Sequence, residues 1–161
     1  MFVKFGAASN DVVAEQKSWP LRREESLQAR LALDERPAFS PDGATAYVSN
    51  YSMYGPRFGP EGSDVCSPGS GYDDSFVYRI GVKALRINRA IKVGAVPKYV
   101  AVTPDNRLVL VTNWCSYDLS VVSVARAREI ERIPVGAYPR GIAVAPDGET
   151  AYVAVMGSRD V

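Results

Sequence analysis

An all-β fold of repeated four-stranded antiparallel units is predicted by three observations. First, one segment recurs: AFSPDGATAYVSN from Ala38, AVTPDNRLVLVTN from Ala101 and AVAPDGETAYVAV from Ala143, at intervals of 63 and then 42 residues. Second, each copy places β-branched or aromatic runs on either side of a Pro-Asp-Gly or Pro-Asp-Asn turn, which is the pattern of a β-hairpin. Third, two more strand-like runs follow in the best-kept copy, LSVVSV from Leu119 and IERIPVG ending at Gly136, with the charged turn ARARE between them. Four short strands in about 42 residues is the period of a β-propeller blade.

The turn has a physical basis in each copy. Pro41, Pro104 and Pro146 preset the φ that a type I turn needs at its second position, and Asp42, Asp105 and Asp147 can hydrogen-bond locally. Gly43, Asn106 and Gly148 stand where φ turns positive. A turn role for the three aspartates is therefore preferred over acid or metal chemistry. Pro134 inside the last strand deletes a ladder hydrogen bond, so that strand is predicted to be a sheet edge. An earlier unit has its third strand in SFVYRI from Ser75 and its fourth in RAIKVG ending at Gly94. The joints DERPAF, GAVPKY and GAYPRG put Pro37, Pro97 and Pro139 at equivalent points. The start, FVKFGAASNDVVA, is read as the second and third strands of a blade, with SLQARLAL as its fourth.

The resulting organisation is a single β-propeller segment of about three blades. Residues 1–35 hold strands of a first partial blade, 36–94 a blade with an insertion at 51–72, 95–136 a second blade and 137–161 a half blade. Such an arc leaves an apolar blade face bare at each end. The expectation is that the rest of a longer chain, or a second copy, completes the ring; a compact non-associating monomer in light scattering would count against it.

The pattern G-x-x-P, then A-V-x-P-D-G, then Y-V-x-N and V-S-V resembles the YVTN-type propeller repeat, a group that also includes YncE-like and lactonase-like propellers. LVTNWCSYDLSVVSV and AYVSNY carry the resemblance most directly. Lys4-Phe5 and Ala154-Val155 depart from it, lacking the Thr-Asn pair. The resemblance implies a propeller fold. Its implications for activity are broad, since members include surface-layer proteins, binding scaffolds and a few enzymes.

Composition excludes several classes. The chain of 161 residues carries a formal net charge of +1 with both signs intermixed, so no basic stripe for nucleic acid is expected. No apolar run approaches the length of a membrane span, and MFVKFGAASND is too short and too soon polar for a secretory signal. There is no histidine, which removes Ser-His and Cys-His pairs, imidazole metal ligands and histidine-ligated haem. No cofactor or metal is expected, and no catalytic residue is assigned. Asp64, Asp73, Asp74 and Glu61 could be read as calcium ligands, but their spacing matches no fixed loop pattern.

The candidate site follows from topology. Loops joining strands two and three, and loops joining blades, share one face of a propeller, opposite the Pro-Asp-Gly turns. The insertion YSMYGPRFGPEGSDVCSPGSG lies on that face, and long loops on rigid scaffolds often carry function. Tyr51, Tyr54, Arg57 and Phe58 are expected near Trp114, either as a ligand or partner surface or as a loop covering its own apolar residues. Lys98 and Arg140 enter innermost strands beside the central channel, with Arg36 at the preceding joint. They can hold an anion, or pair between blades with Asp34 or Glu35. Cys66 in the insertion and Cys115 in the next blade's loop project from the same face and are expected to form a disulfide, which implies an oxidising, extracytoplasmic setting. The leading functional expectation is a scaffold outside the cytoplasm that binds a small molecule or a protein. The alternative is a lactonase-like hydrolase acting on a sugar lactone or related ester, for which the base would have to be Asp or Glu.

Overall fold

The structure is a computed structural model and describes residues 2–5, 12–15, 37–50 and 66–157. The described residues form three four-stranded antiparallel sheets. The first contains β3 (Ala38–Phe39), β4 (Thr45–Ser49), β5 (Ser75–Gly81) and β6 (Arg86–Val93) in sequence order. The second contains β7 (Pro97–Val102), β8 (Leu108–Asn113), β9 (Asp118–Ser123) and β10 (Arg128–Pro134), also in order. Pro134 closes β10 on the outer edge of this sheet, where no further neighbour asks for its missing N–H.

The third sheet differs from the sequence reading. It runs β11 (Pro139–Val144), β12 (Thr150–Val155), β1 (Phe2–Phe5) and β2 (Val12–Glu15). The N-terminal strands therefore take the third and fourth places of the sheet that the C-terminal hairpin begins, and not the second and third places of a blade of their own. Pairing of Phe2 with Tyr152 and Lys4 with Thr150 supplies β12 with the neighbour that local sequence does not. The stretch SLQARLAL, expected as a fourth strand, lies outside the described residues.

The three turns form as their residues require. In each, the amide of Gly43, Asn106 or Gly148 donates to the carbonyl three residues earlier, at 2.8, 2.9 and 2.9 Å, and φ at these residues is 68°, 57° and 74°. The aspartate carboxylates cap the turn. Asp42, Asp105 and Asp147 accept the amides of Ala44, Arg107 and Glu149 at 3.0, 3.1 and 2.9 Å. In two copies a hydroxyl joins in: Ser40 donates to Asp42 at 2.5 Å and Thr103 to Asp105 at 2.6 Å. The Ser40 hydroxyl, with the Ala44 amide, holds the Asp42 carboxyl below its ordinary value. Replacing Asp105 with Ala removes two hydrogen bonds from one turn. It is expected to cost about 1 kcal/mol in urea denaturation while leaving the opposite face unchanged; no measurable loss would refute the capping role.

Blades pack through their sheet faces. Tyr47, Val77, Ile91 and Val93 of the first meet Val100, Val109, Val111 and Val122 of the second. Leu110, Leu119, Val121, Ile133 and Val135 on the other side meet Ile142, Ala151 and Val153 of the third. Period-two alternation in β8 explains this: Val109 and Val111 face one neighbour and Leu110 the other. At the ends of the row, Phe39 and Tyr152 are each 56% exposed, although Tyr152 stands 42 residues after the fully buried Leu110.

Candidate functional site

The joints between blades build the face on which the site lies. Val96 and Tyr138 precede Pro97 and Pro139, and both adopt positive φ, 55° and 56°. For a β-branched valine this is a costly conformation. It lets two carbonyls of each joint accept amides from the loop after the second strand. Trp114 and Cys115 donate to Val96 and Ala95 at 2.9 and 3.2 Å, and Met156 and Gly157 donate to Tyr138 and Ala137 at 3.1 and 3.0 Å. The joint thus fixes Trp114 and Cys115 beside the innermost strand.

Cys66 and Cys115 are bonded as a disulfide, with Cα atoms 5.2 Å apart. Both are buried, at 2% and 1% exposure, so the bridge is internal and not the surface pair that its polar sequence neighbours suggest. Ala95, Val96 and Trp114 complete its cluster, and Tyr72 and Tyr138 pack against it. The Tyr117 hydroxyl donates to the Cys66 carbonyl at 2.7 Å, a second tie between the insertion's end and the next blade. Burial, and then contact with Tyr138, push the Tyr117 phenol up to about 12, so it remains a donor at neutral pH.

Trp114 is the centre of the site. Lys98 Nζ stands 5.2 Å and Arg140 Cζ 6.0 Å from its ring centroid, so equivalent cations from two consecutive innermost strands converge on one indole. Tyr138 tilts against the same ring at 4.9 Å and touches Tyr117 edge-on at 5.2 Å. Trp114 is only 7% exposed and forms a wall of the site, not an open platform. Its buried indole N–H has no hydrogen-bond partner among the described residues.

Sequence reasoning placed Lys98 and Arg140 beside the central channel and Trp114 beside the insertion; that the two cations meet at the Trp114 ring is seen only in the structure. Sequence reasoning missed Tyr72, Tyr117 and Tyr138. Tyr138 was detectable, since it occupies the joint position of Val96 one period later; Tyr117 and Tyr72 carried no comparable signal. Tyr51, Tyr54, Arg57, Phe58, Arg36, Asp34 and Glu35 lie outside the described residues, as do Asp64 and Glu61. Asp74 forms ion pairs with Arg132 at 3.1 Å and Lys92 at 3.6 Å, and no metal-binding acidic group occurs among the described residues.

Behind the loop, Asn113 anchors the blade interior. Its amide donates to Asp118 at 2.6 Å and to the Ser120 hydroxyl at 2.8 Å. Asn50 repeats the second contact one blade earlier, donating to the Tyr78 hydroxyl at 3.1 Å. Burial raises the Asp118 carboxyl; the Asn113 hydrogen bond and the charge of Arg132 oppose this without cancelling it. A raised native value means the folded state resists ionisation. Stability from this group is therefore fully present below the unfolded value of 3.8 and is lost as pH rises through the native value. Asp42 has the opposite sign and acts at lower pH, its contribution disappearing as pH falls below 3.8. Asp118→Asn keeps an acceptor for Asn113 and removes the buried charge. Its urea midpoint is expected to vary less than that of the parent between about pH 4 and about pH 7. An unchanged pH slope would disprove the assignment.

Solved structures share this architecture. Hydrazine synthase of Kuenenia stuttgartiensis is 32% identical, with a TM-score of 0.61, over 78% of this chain and 30% of that one. The dihydro-heme d1 dehydrogenase NirN, solved in complex with DHE, is 23% identical with a TM-score of 0.56, over 78% of this chain and 24% of its own. The chain thus spans less than a third of either protein. No protein-family model matches it. No curated protein matches it either. Both structural neighbours have β-propeller folds, and with the three four-stranded sheets they establish this chain's fold as that of a β-propeller.

Proposed function

We propose that this chain is a YVTN-type propeller that serves outside the cytoplasm as a binding scaffold, taking a small molecule or a protein through the face that carries the 51–72 insertion. The observation that carries this reading is the convergence of Lys98 and Arg140 on Trp114. Two cations suit a ligand bearing a carboxylate or similar anion, with the buried Trp114 ring as the wall that holds them in place. The Cys66–Cys115 bridge holds the end of the insertion against this cluster and supports an oxidising compartment. In this reading the exposed Phe39 and Tyr152 faces pack against further blades, from a longer chain or from a second copy.

The test titrates acetate, citrate and gluconate against the protein, following tryptophan fluorescence and thermal midpoint. At least one carboxylate is expected to bind, Arg140→Ala to weaken it about tenfold or more, and Asp105→Ala on the opposite face to leave it unchanged. The proposal fails if none of the three perturbs the protein, or if the Asp105 variant loses binding equally while still folded.

A further inference from the structure

The outer strands of the first two blades gather charge that the net value conceals. Residues 82–93 and 125–134 hold seven of the chain's 19 Lys and Arg but only two of its 18 Asp and Glu. These segments are β6 and β10 with the turns leading into them, and the two strands lie against each other across the boundary between blades. Between them runs an open groove of about 610 Å³, lined by Arg89, Lys92, Arg128, Arg132, Asp74 and Glu129 among others.

The charges in this groove are unevenly matched. Arg132 engages Glu129 at 2.9 Å and reaches Asp74 with two parallel contacts, at 3.1 and 3.4 Å. Lys92 shares Asp74 at 3.6 Å. Burial opposes the Arg132 charge, but the hydrogen bonds to Glu129 and Asp74 outweigh it and raise the guanidinium's pKa. Both groove carboxylates are thus committed to Arg132 and Lys92. Arg89 and Arg128 are exposed and have no ion-pair partner among the described residues.

We propose that this groove binds an acidic protein segment, with Arg89 and Arg128 receiving its carboxylates. Charge complementarity sets the sign, and the Asp74–Arg132 pair already displays the two-point carboxylate geometry that guanidinium groups favour. The groove is open along two strands, which admits an extended chain and leaves a small anion mostly in solvent. Among the described residues no aromatic ring lines it, so they offer no stacking surface of the kind single-stranded nucleic acid uses. This inference concerns the outer rim and does not depend on the Trp114 site.

A fluorescein-labelled peptide of about eight glutamates, titrated with the protein in about 50 mM salt, tests it by anisotropy. Saturable binding is expected, weakened about tenfold or more by Arg89→Glu with Arg128→Glu and largely kept by the two Lys replacements. If the reversal variant loses its far-ultraviolet circular dichroism, the uncharged Arg89→Gln/Arg128→Gln pair is read instead, with the same loss expected. Arg107→Glu, in the turn between β7 and β8 and outside the groove lining, changes net charge as much as Arg128→Glu and is expected to leave affinity unchanged. The proposal is overturned if the peptide does not saturate or if Arg107→Glu weakens it as much as Arg128→Glu. It is also overturned if tripolyphosphate or oligothymidylate binds the groove more tightly than the peptide.

Discussion

Removing the Cys66–Cys115 bridge, as the Cys66→Ser/Cys115→Ser double variant, is expected to lower unfolding free energy by about 4 kcal/mol. The bond closes a sequence separation of 49 residues, and in the chain-entropy model a loop of that size restricts the unfolded ensemble by roughly that amount. The native side adds to it. The bridge lies in the cluster of Ala95, Val96 and Trp114, so two serine hydroxyls would stand where sulfur atoms are buried. The Tyr117 bond to the Cys66 carbonyl would then be the one described hydrogen bond tying Cys66 to the next blade. Chemical denaturation of the oxidised parent and the variant measures the difference. A change below about 1 kcal/mol would show that loop closure contributes little here. Alkylation of the unreduced protein provides the independent check: two reactive thiols would remove both the bridge and the argument for an oxidising compartment.

Gly94→Ala is expected to destabilise the protein by about 3 kcal/mol, at the upper end of what overpacking a tight interior costs. A Cβ at this position would collide with the Ser116 hydroxyl and stand 2.7 Å from the Asn113 amide carbon and nitrogen. That amide is fully buried and already divided between Asp118 and Ser120, so it cannot move aside without losing both bonds. The Gly94 amide also donates to Ser120 at 3.3 Å, which fixes the backbone against retreat. Ser116→Gly in the Gly94→Ala background should recover part of the loss by clearing one of the collisions. Denaturation midpoints that show no recovery, or no initial loss, would mean the joint can shift to admit a methyl group.

Features governed by neighbouring residues were legible in the sequence. The Pro-Asp-Gly turns require particular φ values and a side-chain acceptor two residues from an amide, and those needs are met within five residues. The repeat then carried the reading further, since a fixed period places Lys98 and Arg140 at equivalent points without any knowledge of coordinates. The same logic brought Cys66 and Cys115 onto one face. It could not show that both are buried, because burial depends on what Val96, Tyr72 and Tyr138 cover once the blades are stacked.

The blade period, the turn geometry and the edge position of Pro134 were determined by the sequence alone. The tertiary structure alone decided the partner of the N-terminal strands and the charge of the outer rim. Alternation identifies a strand but not its neighbour, and Phe2–Phe5 pairs with β12 from the other end of the chain. Charge is likewise additive along a sequence but local in space. The cations of β6 and β10 are about 40 residues apart and diluted by acids elsewhere, and they concentrate only when packing sets the two strands side by side.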